Sequence, residues 1–140
     1  MNLLSDLYPF EILVVDDNFV NQKLIQKLFE VLGYRIDLVK NGLEACNATV
    51  IKDYHLVFMD IQMPEMDGYE ATRIILERLG PNAPVIIALT ASAAKGDKDK
   101  CKLTGMSDYL AKPVRIQDLS AMISHWGELK KDLFADTVDK

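Results

Sequence analysis

Five short apolar runs, at residues 10–15, 34–39, 55–59, 83–89 and 107–110, alternate along this chain with five helical signals. That alternation narrows the fold more than any other feature. Strand-sized runs that are apolar on both faces suit the interior of a parallel sheet, whose crossovers are filled by helices packed on either side. The expected class is therefore α/β, with a doubly wound five-stranded parallel sheet. At 140 residues and 49% hydrophobic, the chain is large enough to bury one core without disulfides or metal staples.

Right-handed crossovers leave few topologies, and the flavodoxin-like order 2-1-3-4-5 is the natural one for a (βα)5 chain. The first helical stretch shows Val20, Leu24, Leu28 and Val31 in period, with Gly33 as its C-cap. In the second, Leu43, Cys46 and Val50 share a face, and in the third Ala71, Ile75 and Leu79 face inward before Gly80-Pro81 stops the helix. The fifth buries Leu119, Met122, Ile123 and Trp126. The fourth, at 95–103, differs: Lys95, Asp97, Lys98, Asp99, Lys100 and Lys102 leave few apolar positions, which predicts a thinly anchored helix. Residues 1–9 read as a lead-in, 10–126 as the domain, and 127–140 as a charged extension that frays, Leu129 and Leu133 being able to continue an amphipathic turn.

A net charge of −5 argues against a nucleic-acid footprint. Without an apolar stretch of membrane length or a charged-then-apolar leader, the expectation is a cytoplasmic chain that makes no membrane contact. Cys46 and Cys101 lack metal-ligand or Cys-x-x-Cys spacing and read as reduced thiols.

The predicted order makes strands 1 and 3 neighbours at the switch point, where ligands bind outside the carboxyl ends of the strands. Asp16, Asp17, Asp60, Thr90 and Lys112 all fall at such ends. Carboxylates crowded together repel unless a cation sits among them, and hard oxygen ligands without His or Cys suit Mg²⁺ or Mn²⁺. The expected ligands are Asp17 directly, Asp16 through water, one oxygen of Asp60 and the backbone carbonyl of Gln62. Lys112 supplies a compact positive charge for a phosphoryl oxygen. Asp60 then reads as a nucleophile that takes a phosphoryl group to form an acyl phosphate.

Ile12-Leu13-Val14-Val15-Asp16-Asp17-Asn18, Met59-Asp60-Ile61-Gln62-Met63-Pro64-Glu65-Met66-Asp67-Gly68, Leu89-Thr90-Ala91 and Lys112-Pro113 together resemble the receiver domain of two-component response regulators. The likeness runs from about Phe10 to Trp126. It implies transfer to Asp60 from a phosphohistidine on a histidine kinase or histidine phosphotransfer protein, with Mg²⁺ required. It also implies a switch in which Thr90 turns to the phosphoryl group and Tyr109 rotates inward, and a cis Lys112-Pro113 bond. Asn18-x-x-Asn21, the 63–68 loop and Ala-Leu-Thr-Ala-Ser at 88–92 resemble receivers attached to hybrid histidine kinases. The resemblance thus implies a chain that promotes its own phosphorylation and dephosphorylation without being an enzyme in the usual sense, its parent a hybrid kinase. A stand-alone regulator is the alternative, and the oligomeric state stays open between monomer and weak dimer.

Blander roles compete for several residues. Asp67 suits an N-cap better than a metal ligand. Thr90 also reads as a buried strand-end hydroxyl, Tyr109 as an edge-strand aromatic, and the 95–103 lysines as a solvated face or a docking surface. His125 reads as a surface histidine, and His55 as one that packs or meets solvent. A phosphohydrolase with an Asp nucleophile is disfavoured because Asp16 and Asp17 are adjacent rather than spaced Asp-x-Asp. A pure interaction domain has no need of the acidic, Thr and Lys positions.

Overall fold

The computed structural model describes residues 3–91 and 95–134, except the side chains of 95–97, 133 and 134. Five strands, β1 (Ile12–Val15), β2 (Asp37–Val39), β3 (Leu56–Asp60), β4 (Val85–Thr90) and β5 (Asp108–Ala111), form one parallel sheet in the order β2-β1-β3-β4-β5. Around it lie α1 (Leu4–Leu7), α2 (Phe19–Val31), α3 (Gly42–Ile51), α4 (Gly68–Leu79), α5 (Lys95–Thr104) and α6 (Ile116–Leu129). The expected class and strand order are both found.

Burial explains why the strands read as unbroken apolar runs. Along β1, Ile12 and Val14 join one core cluster with α2 and α6 residues, while Leu13 and Val15 join a second with α3 and α4 residues. Leu56 and Phe58 of β3 divide from Val57 and Met59 in the same way. A period of two places alternate side chains on opposite faces, and here both faces are covered. Each fully buried large apolar side chain contributes about 1.5–3 kcal/mol, so the apolar part of β3 can offset the cost of taking the carboxyl at its end out of water.

Two helix faces differ from the expectation. On α2 the buried residues are Ile25 and Phe29, whereas Val20, Leu24 and Val31 are exposed. This helix carries two apolar stripes, and periodicity alone does not say which meets the sheet. On α3 the buried face is Ala45, Cys46 and Thr49, with Leu43 and Val50 outside. Small residues there let α3 approach α4 closely, as the 3.8 Å contact of Cys46 Sγ with the Ala71 carbonyl shows.

The lead-in packs onto the domain. The Ser5 N–H donates to the Leu32 carbonyl, the Tyr34 hydroxyl donates to the Tyr8 carbonyl, and the Tyr8 hydroxyl donates to Glu128. Tyr8 lies against Gly127, where an added Cβ would fall 2.4 Å from the ring. Leu119 and Ile123 of α6 are buried as expected, Met122 and Trp126 are partly buried, and the helix continues to Leu129 before a 3-10 turn at Lys131–Phe134. Ser92, the side chains of Lys95, Asp97 and Leu133, and residues 135–140 of the extension lie outside the description. Both cysteines are buried and neither is in a disulfide, and among the described residues no helix is long and apolar enough to cross a membrane.

Candidate functional site

The carboxyl ends of β1 and β3 lie side by side because those strands pair in register, Val15 opposite Met59. Asp16 follows β1 directly and Asp60 is the last residue of β3. Each carboxylate is held by the backbone just beyond it: Asp16 Oδ1 accepts from the Asn18 N–H at 2.9 Å, and Asp60 Oδ1 from the Gln62 N–H at 3.1 Å. These short turns aim both groups along the sheet edge. Asn18 in turn caps α2 through Asn21, and the Gln22 side chain donates to the Asp16 carbonyl at 2.6 Å.

Asp16, Asp17 and Asp60 each offer a carboxylate oxygen, all within 4.8 Å of one another. Asp16 and Asp60 are buried and Asp17 is exposed. From the end of β5, Lys112 Nζ bridges the two buried acids at 3.2 Å to each. One ammonium between two buried carboxylates leaves a net negative charge. Burial pushes the Asp60 carboxyl above the ordinary carboxylate value, Lys112 opposes the shift, and Asp16 adds to it. An all-oxygen donor set with surplus negative charge and one exposed side fits a hard divalent cation that keeps waters, as Mg²⁺ does.

The loop after Asp60 turns back on the strand end. Gly68 N–H donates to the Ile61 carbonyl at 2.9 Å, and a Cβ on Gly68 would lie 2.4 Å from the Asp60 carbonyl oxygen, so only glycine fits here. Asp67 caps α4 by accepting from the Glu70 N–H, the role preferred for it in the sequence. Glu65 holds the loop's one left-handed non-glycine conformation among the described residues, with φ of 69°.

Thr90 ends β4 and is buried at the rim of a cavity of about 570 Å³ that it shares with Gln62, Tyr69 and Lys100. Tyr109 sits one strand further out, opposite Ala88, half-buried beneath the Lys98 ammonium at 4.9 Å. It is therefore not part of the acidic cluster. The Lys112-Pro113 peptide is cis, as expected. His125 is exposed on α6. His55 precedes β3, and its Nδ1 accepts from the Glu11 N–H at 2.8 Å.

Sequence reasoning did not find the close-approach role of Gly68 or the clamp made by Gln22. An Asp-Gly pair signals only a helix start, and a glutamine six residues past an acid carries no periodic signal at all.

A family model described as the response regulator receiver domain matches residues 12–124. Hybrid signal transduction histidine kinase B of Dictyostelium discoideum is 44% identical over 120 residues, 78% of this chain and 6% of that protein. The chain thus spans a small part of such relatives. A crystal structure of the receiver domain of sensor histidine kinase PA1611 from Pseudomonas aeruginosa, with magnesium in its active-site cleft, aligns with a TM-score of 0.76 at 42% identity. It covers 84% of this chain and 96% of that one. The receiver domain of Saccharomyces cerevisiae Ssk1, in complex with the histidine phosphotransfer protein Ypd1, aligns with a TM-score of 0.81 at 36% identity, covering 86% and 90%.

Proposed function

This chain belongs to the response regulator receiver domain family, in the form carried by hybrid histidine kinases, and we propose that it accepts a phosphoryl group on Asp60 from a partner phosphohistidine. The observation that carries the reading is the meeting of Asp16, Asp17 and Asp60 within 4.8 Å, with Lys112 bridging two of them.

In the transfer, an Asp60 carboxylate oxygen attacks phosphorus as the P–N bond to the partner imidazole breaks. The electron pair leaves on the imidazole nitrogen, and the product is an aspartyl phosphate. Asp60 presents its second oxygen in a fixed direction because the Gln62 N–H and the Lys112 ammonium both engage Oδ1. Lys112 releases a carboxylate contact to meet a phosphoryl oxygen, and Thr90 donates its hydroxyl from the neighbouring strand end. Asp17, one oxygen of Asp60 and the Gln62 carbonyl would hold Mg²⁺, or Mn²⁺ in its place, with Asp16 acting through water. When bound, the ion offsets the repulsion between the incoming anion and the carboxylates. Tyr109 follows Thr90 inward, and its half-buried seat beneath Lys98 is compatible with such a movement.

The proposed partner is a histidine kinase or a histidine phosphotransfer protein, and the similarity to the Ssk1 receiver supports the latter. The parent protein is proposed to be a hybrid histidine kinase working in the cytoplasm. Incubation with a ³²P-labelled phosphohistidine protein and Mg²⁺ should move one hydroxylamine-labile phosphoryl group to this chain. Transfer that survives EDTA would refute the metal requirement.

A further inference from the structure

Asp16 and Asp60 are each oriented through the carboxylate itself, by the Asn18 and Gln62 N–H groups and by Lys112. Asp17, the exposed member of the cluster and the expected direct ligand, depends instead on where its backbone points it. The Asp16 carbonyl and the Asp17 N–H belong to one planar peptide unit. Whatever fixes that carbonyl therefore fixes one side of the Asp17 Cα and narrows the directions open to its side chain.

Gln22 fixes it. The residue lies near the start of α2, where side chains lean back toward the helix N-terminus and the loop before it. Its Nε2 donates to the Asp16 carbonyl at 2.6 Å and reaches the Val39 carbonyl at 3.5 Å, while its own N–H donates to the Asn18 carbonyl at 3.0 Å. The Val39 carbonyl also accepts from the Asp16 N–H at 3.1 Å, so both backbone groups of Asp16 are tied down. Both partners of the Gln22 side chain are carbonyl oxygens, which only accept, so the amide must turn its nitrogen toward them. Charge matters as well as hydrogen bonding. A glutamate here would set oxygen against oxygen, and a lysine or arginine would place a second cation beside carboxylates that have to take up a metal ion. A neutral donor meets both conditions.

We propose that Gln22 is a positioning residue for divalent-cation binding, holding the Asp16–Asp17 peptide in the orientation that presents the Asp17 carboxylate to the ion. The inference rests on the reading of Asp16, Asp17 and Asp60 as a Mg²⁺ site. Gln22 acts through the backbone and touches neither the ion nor the phosphoryl group. It lowers the cost of ordering the ligand loop, so its loss weakens uptake of the ion and leaves the transfer step at saturating ion unchanged.

The test uses Gln22→Met, which keeps the length of the side chain and removes the donor, Gln22→Lys, which keeps a donor and adds a charge, and Gly127→Ala, a destabilising control that packs against Tyr8 instead. Mg²⁺ is titrated into each metal-free chain by NMR on the Asp17 and Asn18 amide signals, and thermal melts are recorded in EDTA. Gln22→Met should shift the metal-free Asp17 amide signal and raise the Mg²⁺ dissociation constant about tenfold, the scale on which residues that orient metal ligands act. Gln22→Lys should return that amide signal toward wild type, with a loss of affinity that narrows as salt is added. Gly127→Ala should bind Mg²⁺ as wild type does, whatever its melt. With a labelled phosphohistidine protein, Gln22→Met should need about tenfold more Mg²⁺ for half-maximal transfer and reach the wild-type rate at saturation. Equal Mg²⁺ affinity in wild type and Gln22→Met would overturn the proposal. So would weakened binding in Gln22→Met and Gly127→Ala alike, in step with their melts, which would leave Gln22 a stabilising residue alone. A wild-type chain whose signals do not respond to Mg²⁺ would instead overturn the metal-site reading itself.

Discussion

Asp60 is buried with only half of a counter-ion, since Lys112 is shared with Asp16. Its raised pKa means that the charged form is better tolerated in the unfolded chain than in the folded one. The contribution to stability is therefore full below the unfolded value near 3.8 and is lost as pH rises through the folded pKa. Asp60→Asn should consequently stabilise the metal-free chain at pH 7, within the usual single-substitution range of about 0.5–3 kcal/mol, and the gain should vanish near pH 3.5. Thermal melts at the two pH values check this, and a variant less stable than wild type at pH 7 would refute it. His55 acts in the opposite direction. Burial lowers its pKa from 6.5, and Nδ1 must stay unprotonated to accept from the Glu11 N–H. Its contribution is present above about pH 6.5 and is lost as pH falls toward the folded value. Denaturant titrations of His55→Gln should show a flatter decline in stability than wild type between about pH 6.5 and 5.

At the level of elements, the segment before β1 and the end of α6 depend on each other. Tyr8 lies over Gly127, where a Cβ would fall 2.4–2.7 Å from ring atoms, and its hydroxyl is bonded to Glu128. Gly127→Ala should cost about 1–3 kcal/mol by overpacking, and much less in a Tyr8→Ala background, so a double-mutant cycle should reveal the coupling. Additive effects would contradict this packing. Helix α5 is held differently. Among its described side chains only Cys101 is buried, and two flanking lysines rest on Tyr69 and Tyr109. With so little apolar anchorage, amide exchange over residues 95–104 should change when beryllofluoride and Mg²⁺ are added, and identical protection in both states would refute a moving helix. The thin anchorage of α5 was legible because charge runs speak directly to burial. The inner faces of α2 and α3 were not. An apolar stripe records that a side chain is tolerated, whereas the face that packs is chosen by the space available, and α3 buries the small residues Gly42, Ala45, Cys46 and Thr49 rather than Leu43 or Val50.

Across the whole molecule, strand order does the work of assembly. Residues 16, 60 and 112 meet because β1, β3 and β5 end at one edge, and this was legible from five alternating signals and the acids and lysine that follow them. What remained hidden was local and non-periodic: the Gln22 clamp on Asp16, the glycine saddle at Gly68 and the docking of Tyr8 on Gly127. Mg²⁺ binding should couple to global stability. A hundredfold excess over its dissociation constant adds about 2.7 kcal/mol, and Asp17→Asn should remove most of that gain because Asp17 is the exposed member of the acidic cluster. The central claim is that a phosphoryl group is carried on Asp60. Its most direct measurement is borohydride reduction of the phosphorylated chain followed by peptide mass spectrometry, since reduction of an aspartyl phosphate leaves homoserine. Homoserine at position 60 alone is the predicted result, and homoserine at position 16 or 17, with position 60 unchanged, would contradict it.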